Sequence, residues 1–340
     1  MTASPRAEFD RVVDEITQIG LNVHKNTLVE HAFSNLNDLK KSIRELSPLK
    51  GKKAQSGIVI SAGPSVHRRN SLKRIKDSGY QGTIIVVDGS YIASLKLGLT
   101  PDFVVTLDPH PKRVVRWFGD HDFETNSAND NYFARQDLDV EFRKNTIEQN
   151  KHHIALVNEH GFRTKAIVAS CAPRNVVERL KESGADIYWW NPLVDAPDSP
   201  GSITRDMYNI NRLPCLNTGG TVGTAAWVFA HSILKLPEIA LVGMDLGYYW
   251  DVPKEKTQTF YELQHHLKKE DSLDECFIDF EFPLTKEKFY TDPTYFWYRR
   301  NFLELFSLSK SRTVNCTEGG TLFNEKLPCV SLGEFLKQHA

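Results

Sequence analysis

Within one stretch, Ser56 to Pro109, three short runs rich in Val, Ile and Thr (Gly57 to Ser61, Thr83 to Val87 and Phe103 to Leu107) are separated by segments whose apolar residues return at helical spacing. Short apolar runs joined by helical connections are how strands buried on both faces of a parallel sheet read. The chain is therefore expected to form a doubly wound, mostly parallel α/β sheet. Each run ends on a polar signal, the first at Ala62-Gly63-Pro64-Ser65, the second at Asp88 and the third at Asp108-Pro109. An open α/β sheet binds its ligand beyond the carboxyl ends of its strands, so that edge is the expected active site.

Composition narrows the class of function. With 340 residues, 40% of them apolar, the chain can bury a substantial core. A formal net charge of -1 supplies no global basic field for nucleic acid or membrane surfaces. The five cysteines are widely spaced with no C-x-x-C, which argues against a zinc site or a disulfide framework and suits a reducing, cytoplasmic setting. No stretch of 18 apolar residues occurs, and the N-terminus lacks a signal-peptide core, so a secreted or membrane-spanning chain is not expected. Neither G-x-G-x-x-G nor G-x-x-x-x-G-K-[ST] is present, which removes the main support for a dinucleotide oxidoreductase or a P-loop NTPase.

Along the chain, Phe9 to Ile19 and Leu28 to Leu46 carry helical spacing and predict two amphipathic helices, a helical extension over 1–50 ahead of the main domain at 51–340. A cap on the sheet is favoured over a dedicated dimer module, and a homo-oligomer stays open. The polar segment from Pro111 to Lys151 has no clean apolar period and reads as an insertion over the site or a solvated surface excursion. Strands are predicted at Lys165 to Ser170, Asp186 to Trp190, Glu238 to Val242 and Thr313 to Asn315, with helices at Arg174 to Ser183 and Thr294 to Phe306. Residues 250–289 look irregular, and those from 250 onward are expected to complete the cleft.

Several residue groups are suited to chemistry. Gly63, Pro64 and Ser65 form a short strand-to-helix turn in which no bulky side chain keeps a phosphate from the backbone amides. Asn217, Thr218, Gly219, Gly220 and Thr221 precede a second apolar helix, where they either bind an anion or cap the helix and allow close packing. Asp88, Asp108 and Asp245 each follow a strand; they could hold a cation, accept hydrogen bonds from a ligand, or cap loops. His110 is a candidate acid or base, although an isolated histidine is more often structural; His265-His266 lies in the variable region. Cys171 and Cys215 read as small buried side chains.

The ordered motifs Ile60 to Ser65, Ile85 to Asp88, Pro101 to Pro109, Thr218 to Gly223 and Leu241 to Leu246 resemble the MptE-like family, which includes archaeal 6-hydroxymethylpterin diphosphokinases and bacterial motility-associated Maf glycosyltransferases. Tyr290-Thr291-Asp292-Pro293 with Tyr298-Arg299, and Asn315 to Gly320, look more like the Maf branch. The resemblance implies a Rossmann-like domain. Maf proteins are similar in their central domain to bacterial sialyltransferases, which implies Gly63 to Ser65 near the donor nucleotide or phosphate, Thr218 to Thr221 near the nucleotide and Tyr248 near the phosphate. Where the sialyltransferase pattern has amides this chain has Asp88 and Asp108, and Phe289-Tyr290-Thr291-Asp292 replaces the region of the histidine base. The general base is thus unassigned, with Asp108, His110 and Tyr248 as catalytic candidates and Arg299 as a candidate for a sugar carboxylate.

The implied function is transfer of an acidic, sialic-acid-like sugar from a CMP donor to a glycan or protein acceptor, with no required cofactor. The alternative is a Mg2+-dependent pyrophosphokinase using ATP, in which Asp88 and Asp108 would hold the cation. A nucleotide-binding protein without turnover is the third reading.

Overall fold

The computed structural model describes residues 26–128, 140–257, 260 and 276–339. The first three apolar runs form β1 (Ser56–Ile60), β2 (Thr83–Val87) and β3 (Phe103–Thr106), followed by β4 (Lys165–Ala169), β5 (Asp186–Leu193), β6 (Cys215–Asn217) and β7 (Glu238–Val242). Later in the chain come β8 (Tyr248–Tyr249), β9 (Ile278–Glu281), β10 (Lys288–Thr291) and β11 (Arg312–Asn315). Eight strands make one sheet in the order β11-β7-β1-β2-β3-β4-β5-β6, and every pairing in it is parallel. The remaining three form a small antiparallel sheet, β8-β10-β9.

Alternation along the strands explains why both faces are covered. Ile58 and Ile60 of β1 join the core on one face, while Val59 joins the core on the other. The helices divide accordingly. After α1 (residues 26–34), the connections between the first five strands supply α2 (Ser65–Arg68), α3 (Ser71–Asp77), α4 (Asp88–Lys96), α5 (Pro111–Val114), α6 (Phe123–Ala128), α7 (Val140–His160) and α8 (Arg174–Glu182). Then come α9 (Ile203–Asn211), α10 (Val222–Val228), α11 (Pro293–Leu308) and α12 (Leu332–Gln338). Residues of α3, α4 and α8 pack with Ile58 and Ile60, whereas α10 and α11 meet on the Val59 face, with Phe302 tilted against Trp227 at 4.8 Å between ring centroids.

Three expectations change. The periodic segment predicted as one helix up to Leu46 ends at residue 34 and continues as two 3-10 turns, Leu36–Asp38 and Ile43–Glu45. Its polar groups hold it to the sheet: Asn35 Nδ2 donates to the carbonyls of Ser170 (3.0 Å) and Ala172 (2.8 Å), and Trp189 Nε1 donates to Asp38 O (3.0 Å). The helix predicted around Phe9 to Ile19 lies outside the described residues. Next, the segment after Pro111 is the crossover from β3 to β4, in which Val114, Val115, Phe118 and Val157 are buried against the sheet face. Its sequence hides this because the anchors Val114, Val115 and Phe118 stand together at the start of a long polar stretch, and Val157 lies beyond its end. Finally, β9 and the start of β10 fall within the region 250–289 expected to be irregular; strands of four residues leave too short a pattern for period-two alternation to show.

Among the described residues, no helix is long and apolar enough to cross a membrane.

Candidate functional site

From β1 to β6 the chain builds the sheet outward on one side, then returns to place β7 and β11 on the other side of β1. The strand order reverses between β1 and β7, and a crevice opens at the carboxyl ends of strands at such a point. The Ser61 to Ser65 turn occupies it. Gly63 N donates to Gly243 O at 2.9 Å, which ties the end of β1 to that of β7. A Cβ at Gly63 would overlap the Asp245 carboxylate and approach Gly243 O to 2.5 Å, so glycine is required here by close approach. Ser65 completes the joint, its Oγ donating to Asp245 Oδ2 at 2.6 Å and its backbone N to Oδ1 at 3.3 Å. Burial pushes the Asp245 carboxyl up to about 6, against the stabilising hydrogen bonds from Ser65 and the more distant charge of Arg69.

The second wall is the loop before α10. Thr221 caps the helix by accepting from Thr224 N at 3.0 Å, while Asn217 Oδ1 accepts from Gly219 N (3.0 Å) and Thr218 Oγ1 from Gly220 N (3.2 Å). These polar side chains therefore shape the loop, as the capping alternative required. Gly219 and Gly220 have φ of 52° and 91°, and a Cβ at Gly220 would press on Trp297 and Tyr298 of α11 at 2.5 Å. A Cβ at Gly223 would meet Ser61 Oγ at 2.5 Å, so the loop lies between the end of β1 and α11. Ser61 Oγ is itself buried and has no hydrogen-bond partner among the described residues. In the sequence nothing singles out Ser61 beyond its place in the Ile60 to Ser65 motif.

At the end of β2, Asp88 is almost wholly buried and accepts from Thr106 Oγ1 (2.9 Å) and Gly89 N (2.7 Å). Burial, with the charge of Asp108 adding to it, raises its carboxyl to about 7. Asp108 is exposed and accepts from His110 N at 2.7 Å, closing a tight turn into α5. The structure thus brings Asp88 and Asp108 within electrostatic reach. Asp245 sits on the opposite side of β1, paired with Ser65.

Beyond β7, Tyr248 stacks on Tyr290 with ring centroids 5.3 Å apart and its hydroxyl donates to Asp292 Oδ2 at 3.0 Å. Asp292 is fully buried and caps α11 by accepting from Tyr295 N at 2.8 Å. The sequence signal for that cap was Asp292-Pro293, an acidic residue before a proline at the first helical position. Arg299 is differently employed than expected: its Nε donates to Thr321 O (2.7 Å) and its Nη2 to Phe323 O (2.6 Å), holding the turn after β11 against α11. Cys171 is buried, with its thiol pushed up to about 12 by burial, and is no activated nucleophile. Cys215, expected to be buried, is exposed. His265 and His266 lie outside the described residues. Among the described residues no group of three or more His, Cys, Asp or Glu side chains is arranged to hold a metal ion.

Comparison with known proteins agrees with this architecture. Residues 30–138 match a family model described as 6-hydroxymethylpterin diphosphokinase MptE-like. That stretch is similar to the family. It contains β1 to β3 and so carries Gly63 to Ser65, Asp88 and Asp108. The solved structure of the MAf glycosyltransferase from Magnetospirillum magneticum AMB-1 superposes with a TM-score of 0.52 at 16% identity, covering 88% of this chain. The chain spans 37% of that protein's length, and at this identity the likeness shows a shared fold. No curated protein sequence matches the chain.

Proposed function

We propose that the protein is a nucleotide-dependent transferase, and within that class a glycosyltransferase that takes an acidic, sialic-acid-like sugar from a CMP donor. The observation that carries this reading is the meeting of the Ser61 to Ser65 turn with the Gly219 to Gly223 loop at the point where strand order reverses. Two strand-to-helix junctions with little side-chain bulk meet at the point where strand order reverses, the place where an open α/β sheet takes its ligand, and Ser61 Oγ, which has no hydrogen-bond partner among the described residues, lies between them. In the transfer, the bond from the sugar's anomeric carbon to the phosphate oxygen breaks as an acceptor hydroxyl oxygen bonds to that carbon. The hydroxyl proton passes to a carboxylate of the Asp88 and Asp108 pair, of which Asp108 is the exposed member, and this reading assigns Tyr248 to the phosphate side. His110 adjoins Asp108 and helps set its turn through its backbone N–H.

A Mg2+-dependent transfer of diphosphate from ATP to a hydroxymethyl oxygen, with AMP leaving and the hydroxyl proton passing to solvent, is the second reading, favoured by the electrostatic reach between Asp88 and Asp108. Two carboxylates fit a cation held largely by nucleotide phosphates, and the ion would offset phosphate charge beside this acidic edge. One experiment separates the two: ATP, CMP, CMP-sialic acid and GTP are offered with and without Mg2+, and both binding and products are followed. CMP release from CMP-sialic acid without metal is the expected result. Diphosphoryl transfer from ATP that requires Mg2+ and disappears in Asp108→Asn would overturn it.

A further inference from the structure

The segment Val115–Phe118 follows α5, and its Trp117 reaches Gly89, just beyond the carboxyl end of β2. Three of its neighbouring apolar side chains, Val114, Val115 and Phe118, are at most 2% exposed, but Trp117 between them is 41% exposed. An indole left so open on a segment otherwise well anchored calls for an explanation, because burying it would add apolar area to the core. Its location supplies one. Trp117 Cε2 lies 3.9 Å from the position a Cβ would take on Gly89, and the same position is 2.8 Å from Ala62 Cβ. The indole therefore stands at the start of α4, beside Asp88, and close to Ala62, the residue before Gly63. Consecutive Cα atoms are about 3.8 Å apart, so the ring is within a nucleoside's length of the phosphate-side turn.

We propose that Trp117 is the stacking platform for the base of the bound nucleotide, with the phosphates directed toward Gly63 to Ser65. This rests on the nucleotide reading above and adds the residue that holds the base. The platform is rigid. Phe118 packs against Tyr91 at 5.8 Å between centroids, and Gly119, at φ 84°, ends the turn where a side chain would collide with Ile154 at 2.7 Å. The faces of the Trp117 ring carry no aromatic or cationic partner among the described residues, in contrast to the exposed Trp250, which has Lys288 over its ring at 5.8 Å. Every base presents a π-face, so stacking here contributes affinity without itself choosing among bases.

The test is calorimetric titration of the wild type, Trp117→Ala and Trp117→Phe with CMP, ATP and ribose 5-phosphate, each variant checked for the wild-type melting profile. Base stacking of this kind predicts that Trp117→Ala weakens CMP and ATP by roughly tenfold or more. Trp117→Phe should retain most of the affinity, and ribose 5-phosphate, which has no base, should bind all three proteins alike. CMP binding unchanged in Trp117→Ala overturns the proposal, as does an equal loss for ribose 5-phosphate; both leave nucleotide binding intact. A folded wild type that binds none of the three overturns the nucleotide reading itself.

Discussion

Replacing Asp88 by asparagine tests whether the rim holds a carboxyl in an environment that disfavours its charge. In the folded protein Asp88 keeps its proton up to about 7, chiefly because it is buried, whereas its ordinary value is 3.8. At about 1.4 kcal/mol for each tenfold change in proton affinity, the buried ionised form costs at most roughly 4 kcal/mol above pH 7. The sign follows from proton binding: between these two values the folded state holds a proton that the unfolded state has released, so stability falls as pH rises. An asparagine in its place cannot ionise. Its side-chain oxygen can still accept from Gly89 N, and its amide can donate to Thr106 Oγ1, whose hydroxyl both donates and accepts. The stability of Asp88→Asn relative to wild type should therefore rise by roughly 2 to 3 kcal/mol from pH 5 to pH 8. Urea unfolding of both proteins at several pH values measures that difference, and contributions from Asp245, common to both, cancel to first order. Transfer activity should fall in the same variant, since acid–base work needs the ionisable group. A stability difference that stays flat from pH 5 to pH 8 would refute the reasoning.

Two further changes probe the frame of the site. Gly63→Ala forces a methyl into the Asp245 carboxylate and toward Gly243 O, so it should lower unfolding stability by roughly 2 kcal/mol or more and abolish nucleotide binding; a normal denaturation midpoint with intact binding would contradict the packing described. Arg299→Lys removes the two-pronged grip on Thr321 O and Phe323 O and should cost about 1 to 3 kcal/mol, with donor KM changing little relative to the loss of stability. A selective rise in KM for the acidic sugar, with stability preserved, would instead return Arg299 to the sugar-carboxylate role.

Much of this architecture was legible in local pattern. Ser56 to Pro109 contains strands buried on both faces, and the run of their apolar residues announces the parallel sheet and puts Gly63, Asp88 and Asp108 at its carboxyl ends. Such signals survive in sequence because strand burial and turn geometry depend on residues a few positions apart. What lay beyond reach was decided by long-range contact. That β7 pairs with β1, and so carries Asp245 to Ser65 across 180 positions, is a choice of sheet order that no local period encodes. The same holds for Arg299, whose charge looked available until its fork met the carbonyls of Thr321 and Phe323. Trp117 carried no sequence signal, because its exposure beside Gly89 depends on how the segment from β3 to β4 lies across the sheet edge. Sequence determined the main strands of the large sheet and which residue types stand at their ends; only tertiary structure decided which ends meet, since burial, pairing and hydrogen bonding between distant residues are settled when the chain closes on itself.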